Sequence, residues 1–318
     1  MKNIINNIKG MRGRDLLSIT DLNKQEILSI VNLAEYIKTL SKIGVKSFNY
    51  LVDKKVALIF QKHSTRTRAS FSVALQELGT QSYYFSWNEL QLARGESIRD
   101  TASVLNRYFD AAILRVYKHS DLEEFANYFD GPVINALSDL EHPCQILSDF
   151  FTIYEKFGKL EGIKISYIGD GNNNVAISLL LGSAILGTNI TIISPKRYQP
   201  TSQILEKAQI IAKKSGSSIR VTEEIKNSML DANIIYTDTF VSMGMESEKE
   251  IRLKELKDYQ VNEKIFELNP NAYFMHCAPW HLGEEVTEGV VYGKNSIVFE
   301  QAENRLHTSK AILIALLK

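Results

Sequence analysis

The stretch that decides the fold is Val56-Ala57-Leu58-Ile59-Phe60, followed by Gln61-Lys62-His63-Ser64-Thr65-Arg66-Thr67-Arg68. Its first five residues form a short apolar run, which predicts a buried strand. A helical pattern follows, with a glycine at its end and these apolar residues on one face: Phe71, Ala74, Leu75 and Leu78. A buried strand that leads directly into a helix is typical of a parallel α/β sheet.

The same alternation of strands and helices runs through both halves of the chain. The first half has predicted strands at Val56–Phe60, Gln81–Ser86, Ala111–Val116 and Pro132–Ala136. The second half has them at Lys164–Ile168, Asn189–Ser194, Ser218–Val221, Ile234–Asp238 and Ala272–His276. We therefore predict an α/β fold of two doubly wound parallel-sheet domains in series, linked by long helices.

The helices are predicted from apolar residues at helical spacing and from capping residues. Asp21 is the predicted start of a helix over Leu22–Lys42, and Ser97 and either Ser120 or Asp121 are the predicted caps of two shorter helices. Further helices are predicted over His142–Phe157, Val175–Leu186, Ser202–Lys214 and Gln301–Leu317.

Size and charge narrow the function classes. The chain has 318 residues, which exceeds the usual size of one core, and its 37 basic residues balance 37 acidic ones. Without a basic stripe or a long apolar segment, we expect no nucleic-acid partner and no membrane partner. Cys144 and Cys277 lie far apart, so we expect neither a disulfide nor a metal site, and a cytoplasmic location.

Ser64-Thr65-Arg66-Thr67-Arg68 combines three hydroxyl residues with two arginines at a predicted helix start. The free backbone N–H groups of a helix N-terminus attract anions, and guanidinium groups match phosphate oxygens in pairs. A serine cap followed by solvated arginines remains the alternative interpretation. The stretch is not a Walker loop, because the Gly-Lys-Ser sequence is missing.

This motif resembles the carbamoyl-phosphate motif of the aspartate and ornithine carbamoyltransferases, and the resemblance extends from about Leu16 to Leu317. It implies a phosphate contact by Arg115, carbamoyl contacts by His142, Gln145 and Arg305, and a contact by Gln91 in a neighbouring subunit of a homotrimer. From the residues alone, the two arginines could equally be surface groups, and the histidine could be a helix cap.

The acceptor side is predicted from the second half. Asp238 ends a strand and precedes Thr239-Phe240-Val241-Ser242-Met243-Gly244, which resembles the ornithine-side loop of the family. A carboxylate suits the ammonium group of a diamino acid, whereas aspartate would need additional Arg or Lys. The resemblance adds Asn174, Cys277 and Ala278 to the ornithine-binding residues Asp238, Ser242 and Met243.

The resemblance implies transfer of a carbamoyl group from carbamoyl phosphate to the δ-amine of L-ornithine, without a cofactor or metal. The predicted catalytic residues are Arg115, His142, Cys277 and Arg305. Residues 1–147 are the predicted carbamoyl-phosphate domain, joined by a C-terminal helix over 304–318, and residues 148–303 are the predicted ornithine domain. Aspartate, putrescine and acylated ornithine are the alternative acceptors, and a non-catalytic metabolite sensor is the alternative class.

Two departures from the family pattern fall on the acceptor side. Ala278 replaces the usual leucine of His-Cys-Leu-Pro, and Trp280-His281-Leu282 stands where Ala-His-Arg is common. Phe240 also replaces a frequent tryptophan. We therefore expect an altered wall around the acceptor.

Overall fold

The computed structural model describes residues 2–242 and 244–318 of the chain. It divides them into two compact units. One contains the residues up to Glu155 together with Glu303–Lys318, and the other contains Lys156–Ala302. Met243, predicted to contact ornithine, lies outside the described residues.

The first unit is built on a four-stranded parallel sheet in the order β2-β1-β3-β4. Its strands are β1 (Lys55–Phe60), β2 (Gln81–Ser86), β3 (Ala111–Arg115) and β4 (Val133–Leu137). In β1, β3 and β4 nearly every residue is buried, as expected for a parallel sheet covered by helices.

The second unit is built on a five-stranded parallel sheet in the order β7-β6-β5-β8-β9. Its strands are β5 (Lys164–Ile168), β6 (Asn189–Ile193), β7 (Ile219–Thr222), β8 (Ile234–Thr237) and β9 (Tyr273–His276). The predicted fold class is confirmed, since two parallel α/β sheets follow each other along the chain.

Helices alternate with these strands. In chain order they are α1 (Lys2–Met11), α2 (Lys24–Lys42), α3 (Thr65–Glu77), α4 (Ile98–Leu105), α5 (His119–Asn127), α6 (Pro143–Phe157), α7 (Asn174–Leu186), α8 (Ser202–Ser215), α9 (Lys226–Met229), α10 (Lys249–Leu256), α11 (Glu263–Leu268), α12 (Glu288–Val291) and α13 (Val298–Leu317). Among the described residues no helix combines the length and apolarity needed to cross a membrane.

The last helix starts at Val298 and not at Gln301. Two predicted helix caps were also wrong. Asp21 does not cap α2: its carboxylate belongs to a capping box that begins at Ser18, and Asn23 caps α2 by accepting from backbone N–H groups. Neither Ser120 nor Asp121 caps α5, because this helix already starts at His119. The carboxylate of Asp139 instead accepts from the first backbone N–H of α5, and this residue lies too far along the chain for a local capping pattern to reveal it.

A buried lysine ties α13 to the rest of the first unit. The Nζ of Lys38 in α2 donates to the Glu155 carboxylate at 2.9 Å and to Oδ1 of Asn304 at 2.7 Å. Asn304 is fully buried and also donates to Oγ1 of Thr152 at 2.9 Å. These bonds fix the rotation of α13, and the next residue along that helix is Arg305.

Candidate active site

Both sheets have a point where the strand order reverses, and open α/β sheets bind ligands at the carboxyl ends of the strands there. In the first sheet this point lies between β1 and β3, and in the second between β5 and β8. The Ser64–Arg68 motif follows β1, and Arg115 ends β3. Asp238 directly follows β8. The predicted residues of each half therefore gather at the edge where ligands bind.

Ser64 caps α3, as the alternative interpretation of the motif expected, and the phosphate site stays a prediction. Its backbone is extended, and its hydroxyl oxygen accepts from the Thr67 backbone N–H at 3.3 Å. The first backbone N–H groups of a helix have no partner within the helix, so those of Thr65 and Arg66 remain available to a ligand. The side chains of Thr65, Arg66 and Arg68 are exposed, whereas Thr67 is buried. The hydroxyl of Ser64 can donate outward while its oxygen caps the helix.

Of the two arginines in the motif, Arg68 contacts an aromatic ring. The guanidinium of Arg68 lies over the ring of Tyr84 in β2, 3.6 Å from its centroid. This distance is typical of a cation–π contact. The stacking orients Arg68, and its N–H groups in the guanidinium plane remain able to meet an anion.

Arg115 and His142 lie in one electrostatic environment. Backbone pairing places Arg115 beside Phe60, the last residue of β1, and its carbonyl accepts from the Gln61 N–H at 2.8 Å. Burial lowers the pKa of His142 well below its usual value, and the positive charges of Arg305 and Arg115 lower it further. His142 is therefore a neutral imidazole at neutral pH.

Gln145 joins the same cluster through its neighbour Arg305. Its side-chain oxygen accepts from Nη1 of Arg305, and its amide nitrogen donates to Asp149 at 2.8 Å. All three side chains are buried. Four predicted residues thus come together: Arg115, His142, Gln145 and Arg305. Gln91 is exposed and starts a separate turn, Gln91–Arg94.

Asp238 and Cys277, both predicted to bind the acceptor, are hydrogen-bonded to each other in the second unit. The thiol of Cys277 donates to Oδ1 of Asp238 at 3.0 Å. The amide of Asn173 approaches the other carboxylate oxygen at 3.4 Å. Burial raises the pKa of Asp238, while His276, the Cys277 thiol and a backbone N–H oppose that rise. A buried carboxylate of this kind gains strongly from a cation.

The other predicted acceptor residues lie along the same edge. Asn174 is the first residue of α7 and is half-buried. The Oγ of Ser242 is shielded from solvent and has no hydrogen-bond partner among the described residues, which is unusual for a buried hydroxyl. Ala278 adopts a positive φ of 57°, and its backbone N–H donates to Nδ1 of His276 at 2.9 Å.

Comparison with known proteins agrees with this geometry. Residues 14–155 match the family description "Aspartate/ornithine carbamoyltransferase, carbamoyl-P binding domain", and residues 161–316 match its "Asp/Orn binding domain". The chain belongs to the aspartate/ornithine carbamoyltransferase family. The family predicted from the sequence is thereby confirmed.

Individual members of the family cover almost the whole chain. The ornithine carbamoyltransferase of Hyperthermus butylicus is 53% identical over 306 residues, 96% of this chain and 98% of the relative. The structure of the ornithine carbamoyltransferase from Pyrococcus furiosus has a TM-score of 0.92 at 46% identity, covering 96% of this chain and 98% of that one. The anabolic enzyme from Campylobacter jejuni has a TM-score of 0.87 at 41% identity, covering 94% of this chain and 97% of that one.

This member of the family contains site residues that sequence reasoning missed. Asn173 caps α7 through its side-chain oxygen and donates to Tyr167 and Asp238 through its nitrogen. Glu285 is fully buried, and one of its carboxylate oxygens lies 3.3 Å from Nε2 of His276. The local signal for Asn173 was present, since an asparagine directly before a helix is a preferred cap. The contact to Glu285 has no local signal.

Three groups on the acceptor side have the atom types of a metal site. The ligand atoms of Asp238, His276 and Cys277 lie within 4.8 Å of one another. All three side chains already take part in protein hydrogen bonds: the Asp238 carboxylate accepts from the Cys277 thiol, and Nδ1 of His276 accepts from a backbone N–H. The absence of a metal from the reaction stays a prediction.

Trp280, one of the departures from the family pattern, lies in an aromatic cluster. The Trp280 ring meets the rings of His276 at 6.2 Å, Tyr292 at 6.2 Å and Phe299 at 5.9 Å, all edge-to-face. Edge-to-face aromatic pairs contribute about 0.5–1.5 kcal/mol beyond burial. The tryptophan that departs from the family pattern thus supports the turn that carries Cys277 and Ala278.

Proposed function

We propose that the chain transfers the carbamoyl group of carbamoyl phosphate to the δ-amine of L-ornithine, giving L-citrulline and phosphate. The observation that carries this proposal is the buried Asp238 carboxylate, hydrogen-bonded to the Cys277 thiol at the carboxyl end of the second sheet. An amino acid with a second amine supplies the cation that such a carboxylate needs. A dicarboxylic acceptor would meet repulsion there.

The phosphate group binds at the start of α3 in this proposal. Hydroxyls, two arginines and backbone N–H groups of Ser64-Thr65-Arg66-Thr67-Arg68 are the donors, which is the combination that suits phosphate. Arg115 adds a guanidinium at the end of the adjacent strand. We also propose that Gln91 reaches the same site in a neighbouring copy, in a homotrimer or a multiple of trimers.

The carbamoyl group lies against His142, Gln145 and Arg305 in this proposal. Nucleophilic attack places negative charge on the carbamoyl oxygen, and fixed donors that await this charge lower the barrier. The depressed pKa of His142 makes it a neutral donor, so it does not compete with the arginines for the anion. The buried Gln145 amide is held between Arg305 and Asp149, which fixes its orientation toward the carbamoyl nitrogen.

The attacking amine must be neutral, yet a primary amine such as that of lysine has a pKa of about 10.4 in water. We propose that Asp238 and Cys277 orient the ornithine, with Asn174, Ser242, Met243 and Ala278 around the rest of the molecule. The δ-amine attacks in its neutral form, after its ammonium group has released one proton to solvent. The amine nitrogen bonds to the carbamoyl carbon, the bond from that carbon to the phosphate oxygen breaks, and phosphate takes the amine proton.

This route needs no covalent enzyme intermediate, cofactor or metal. Holding two substrates in line for attack contributes on the order of 7–11 kcal/mol to the barrier reduction. We assign carbamoyl-phosphate binding to residues 1–147 and 304–318 and ornithine binding to residues 148–303. The two free cysteines suit a reducing compartment, and we propose a cytoplasmic location. A role in arginine metabolism follows from the product.

The direct test is citrulline formation from carbamoyl phosphate and L-ornithine, with phosphate release measured in parallel. Arg66→Ala should abolish citrulline formation while the thermal unfolding midpoint stays unchanged, because the exposed Arg66 side chain lies outside the core. Arg220→Ala, which also removes an exposed arginine, is the matched control and should retain turnover. Full turnover by the Arg66 variant would contradict the phosphate assignment.

A further inference from the structure

Gln301 is a buried glutamine that belongs to neither substrate site described above. It is the fourth residue of α13 and is only 1% exposed. Its side-chain oxygen accepts from the backbone N–H of His276, the last residue of β9, at 3.0 Å, and its amide nitrogen donates to the Tyr236 hydroxyl at 3.1 Å. Both ends of the amide are therefore bound to the second sheet, one to β9 and one to β8.

The bond to His276 completes the outer edge of the second sheet. β9 is an edge strand, and the outward backbone groups of an edge strand have no partner strand. Those of Phe274 pair with the segment that leads to α13: its N–H donates to the Asn295 carbonyl at 2.8 Å, and its carbonyl accepts from the Ile297 N–H at 3.0 Å. The next outward N–H is that of His276, and Gln301 accepts from it. Without the glutamine oxygen this buried N–H would lose its partner.

The end of β9 determines where the Cys277 thiol lies. Thr237 and His276 are the last paired positions of β8 and β9. Asp238 and Cys277 each follow one residue later, and the thiol donates to the carboxylate at 3.0 Å. The position of the end of β9 therefore sets the distance between these two groups.

The bond to Tyr236 leads to the same carboxylate from the other side. Tyr236 and Tyr167 are register partners in β8 and β5, both are fully buried, and their rings stack with centroids 5.9 Å apart. The Tyr167 hydroxyl accepts from the Asn173 amide at 2.7 Å, and this amide also approaches the Asp238 carboxylate. The glutamine thus reaches the carboxylate both through the end of β9 and through two stacked tyrosines.

A buried amide is costly unless both of its ends are hydrogen-bonded, as they are here. Once fully paired, such an amide fixes one arrangement of its neighbours. An apolar side chain of similar size would fill the same space but would leave the end of β9 free to shift.

We propose that Gln301 is a positioning residue for the acceptor, because it holds the end of β9 and, through it, the hydrogen bond between Cys277 and Asp238. This inference rests on the proposed function, since Asp238 and Cys277 are assigned above to the acceptor.

The first test follows the Cys277 thiol and does not depend on catalysis. Gln301→Met keeps the length of the side chain and removes both of its hydrogen bonds. A thiol that no longer donates to a carboxylate ionises more readily, so iodoacetamide at pH 8 should alkylate Cys277 about 5-fold faster than in wild type, the factor expected for one lost hydrogen bond. The buried Cys144 should stay unmodified in both proteins, which shows that the variant remains folded.

The second test measures both Michaelis constants in the citrulline assay. Gln301→Met should raise the KM for ornithine about 5-fold or more. The KM for carbamoyl phosphate should stay unchanged, because Lys38 still binds Asn304 and so holds α13 in the first unit. Gln203→Met is the matched control, since it removes an exposed glutamine from the first turn of α8, and it should keep the wild-type alkylation rate and KM for ornithine.

A Cys277 alkylation rate equal to that of the control would overturn the proposal. So would an unchanged KM for ornithine, even with a lower unfolding midpoint, because Gln301 would then contribute to stability alone. If the wild-type protein formed no citrulline, the proposed function would be refuted, whereas the alkylation rates would still show whether Gln301 positions Cys277.

Should Gln301→Met not fold, Tyr236→Phe decides the question. It removes the hydroxyl that accepts from Gln301 and keeps the stacked ring. The alkylation rate of Cys277 and the KM for ornithine should both rise about 2-fold or more, whereas the control Tyr36→Phe, which removes an exposed hydroxyl, should change neither. Equal values in these two variants would overturn the proposal.

Discussion

Asp238→Asn is the sharpest perturbation of the acceptor half, because it removes one charge and almost no volume. In wild type the carboxylate is 6% exposed, and in our account it pairs with an ammonium group of the substrate. Truncating one partner of a buried, hydrogen-bonded charge pair costs about 2–5 kcal/mol. At about 1.4 kcal/mol per tenfold change, kcat/KM for ornithine should fall by roughly 30-fold to several thousand-fold.

The fold should tolerate this change. The asparagine oxygen can still accept from the Cys277 thiol. Its nitrogen faces the Asn173 amide nitrogen, so the variant loses the hydrogen bond from Asn173, which at 3.4 Å is long in wild type. Since burial raises the pKa of Asp238, the charge itself opposes folding at neutral pH, and its removal offsets the lost bond. The unfolding free energy should therefore stay within about 2 kcal/mol of wild type.

The assay is citrulline formation, first with ornithine varied at saturating carbamoyl phosphate and then with carbamoyl phosphate varied at saturating ornithine. The KM for carbamoyl phosphate should not change, because its binding residues belong to the other unit. Asp231→Asn is the matched control, since this exposed aspartate pairs with Lys164 at the surface. A kcat/KM for ornithine equal to that of the control would refute the assignment of Asp238.

Three further outcomes are expected. Lys38→Met should lower the unfolding free energy by about 1–3 kcal/mol in urea titrations, because it leaves the buried Oδ1 of Asn304 without this donor and removes the ion pair with the partly exposed Glu155 carboxylate. Lys42→Met, at the exposed end of the same helix, should have no effect. Burial and neighbouring lysines lower the pKa of His307 from 6.5 to about 4. Between these pH values the unfolded chain binds more protons than the folded one, so the free energy of unfolding should fall as the pH drops from 6.5 to about 4. His307→Gln should flatten that part of the plot of unfolding free energy against pH. Alkylation near pH 8 should modify Cys277 and spare Cys144, because burial raises the pKa of the Cys144 thiol to about 12. Mass spectrometry of the two peptides measures this, and modification of Cys144 in preference to Cys277 would contradict it.

Strands were the most predictable part of the fold. The strand over Lys164–Ile168 was predicted with both of its ends, because its apolar residues lie between the exposed Lys164 and the turn glycine Gly169. Helix starts were less predictable. Asp21 and Asn23 are both cap-type residues just before α2. In the structure Asn23 caps α2 in a capping box with Glu26, whereas Asp21 belongs to the preceding capping box that begins at Ser18.

The site was predictable where one short segment carries the chemistry. Ser64–Arg68 combines a helix start, hydroxyls and arginines within five positions, so its ligand class follows from local rules. Contacts between distant positions were not predictable. Gln145 meets Arg305 across 160 positions, and Arg252 meets Asp170 across 82. Read alone, Arg252 is an ordinary helix-surface arginine four positions after Glu248, because only the fold supplies its second carboxylate, that of Asp170.

The central claim is the identity of the acceptor, and an acceptor panel tests it most directly. The wild-type chain would be assayed with carbamoyl phosphate and, separately, ornithine, lysine, putrescine, N-acetylornithine and aspartate, with phosphate release followed in each reaction. We expect product with ornithine and a kcat/KM roughly 5- to 150-fold higher than for any other acceptor, since an unpaired buried group costs about 1–3 kcal/mol and each rival leaves one or adds a repulsion. Preferred turnover of aspartate or putrescine would contradict it.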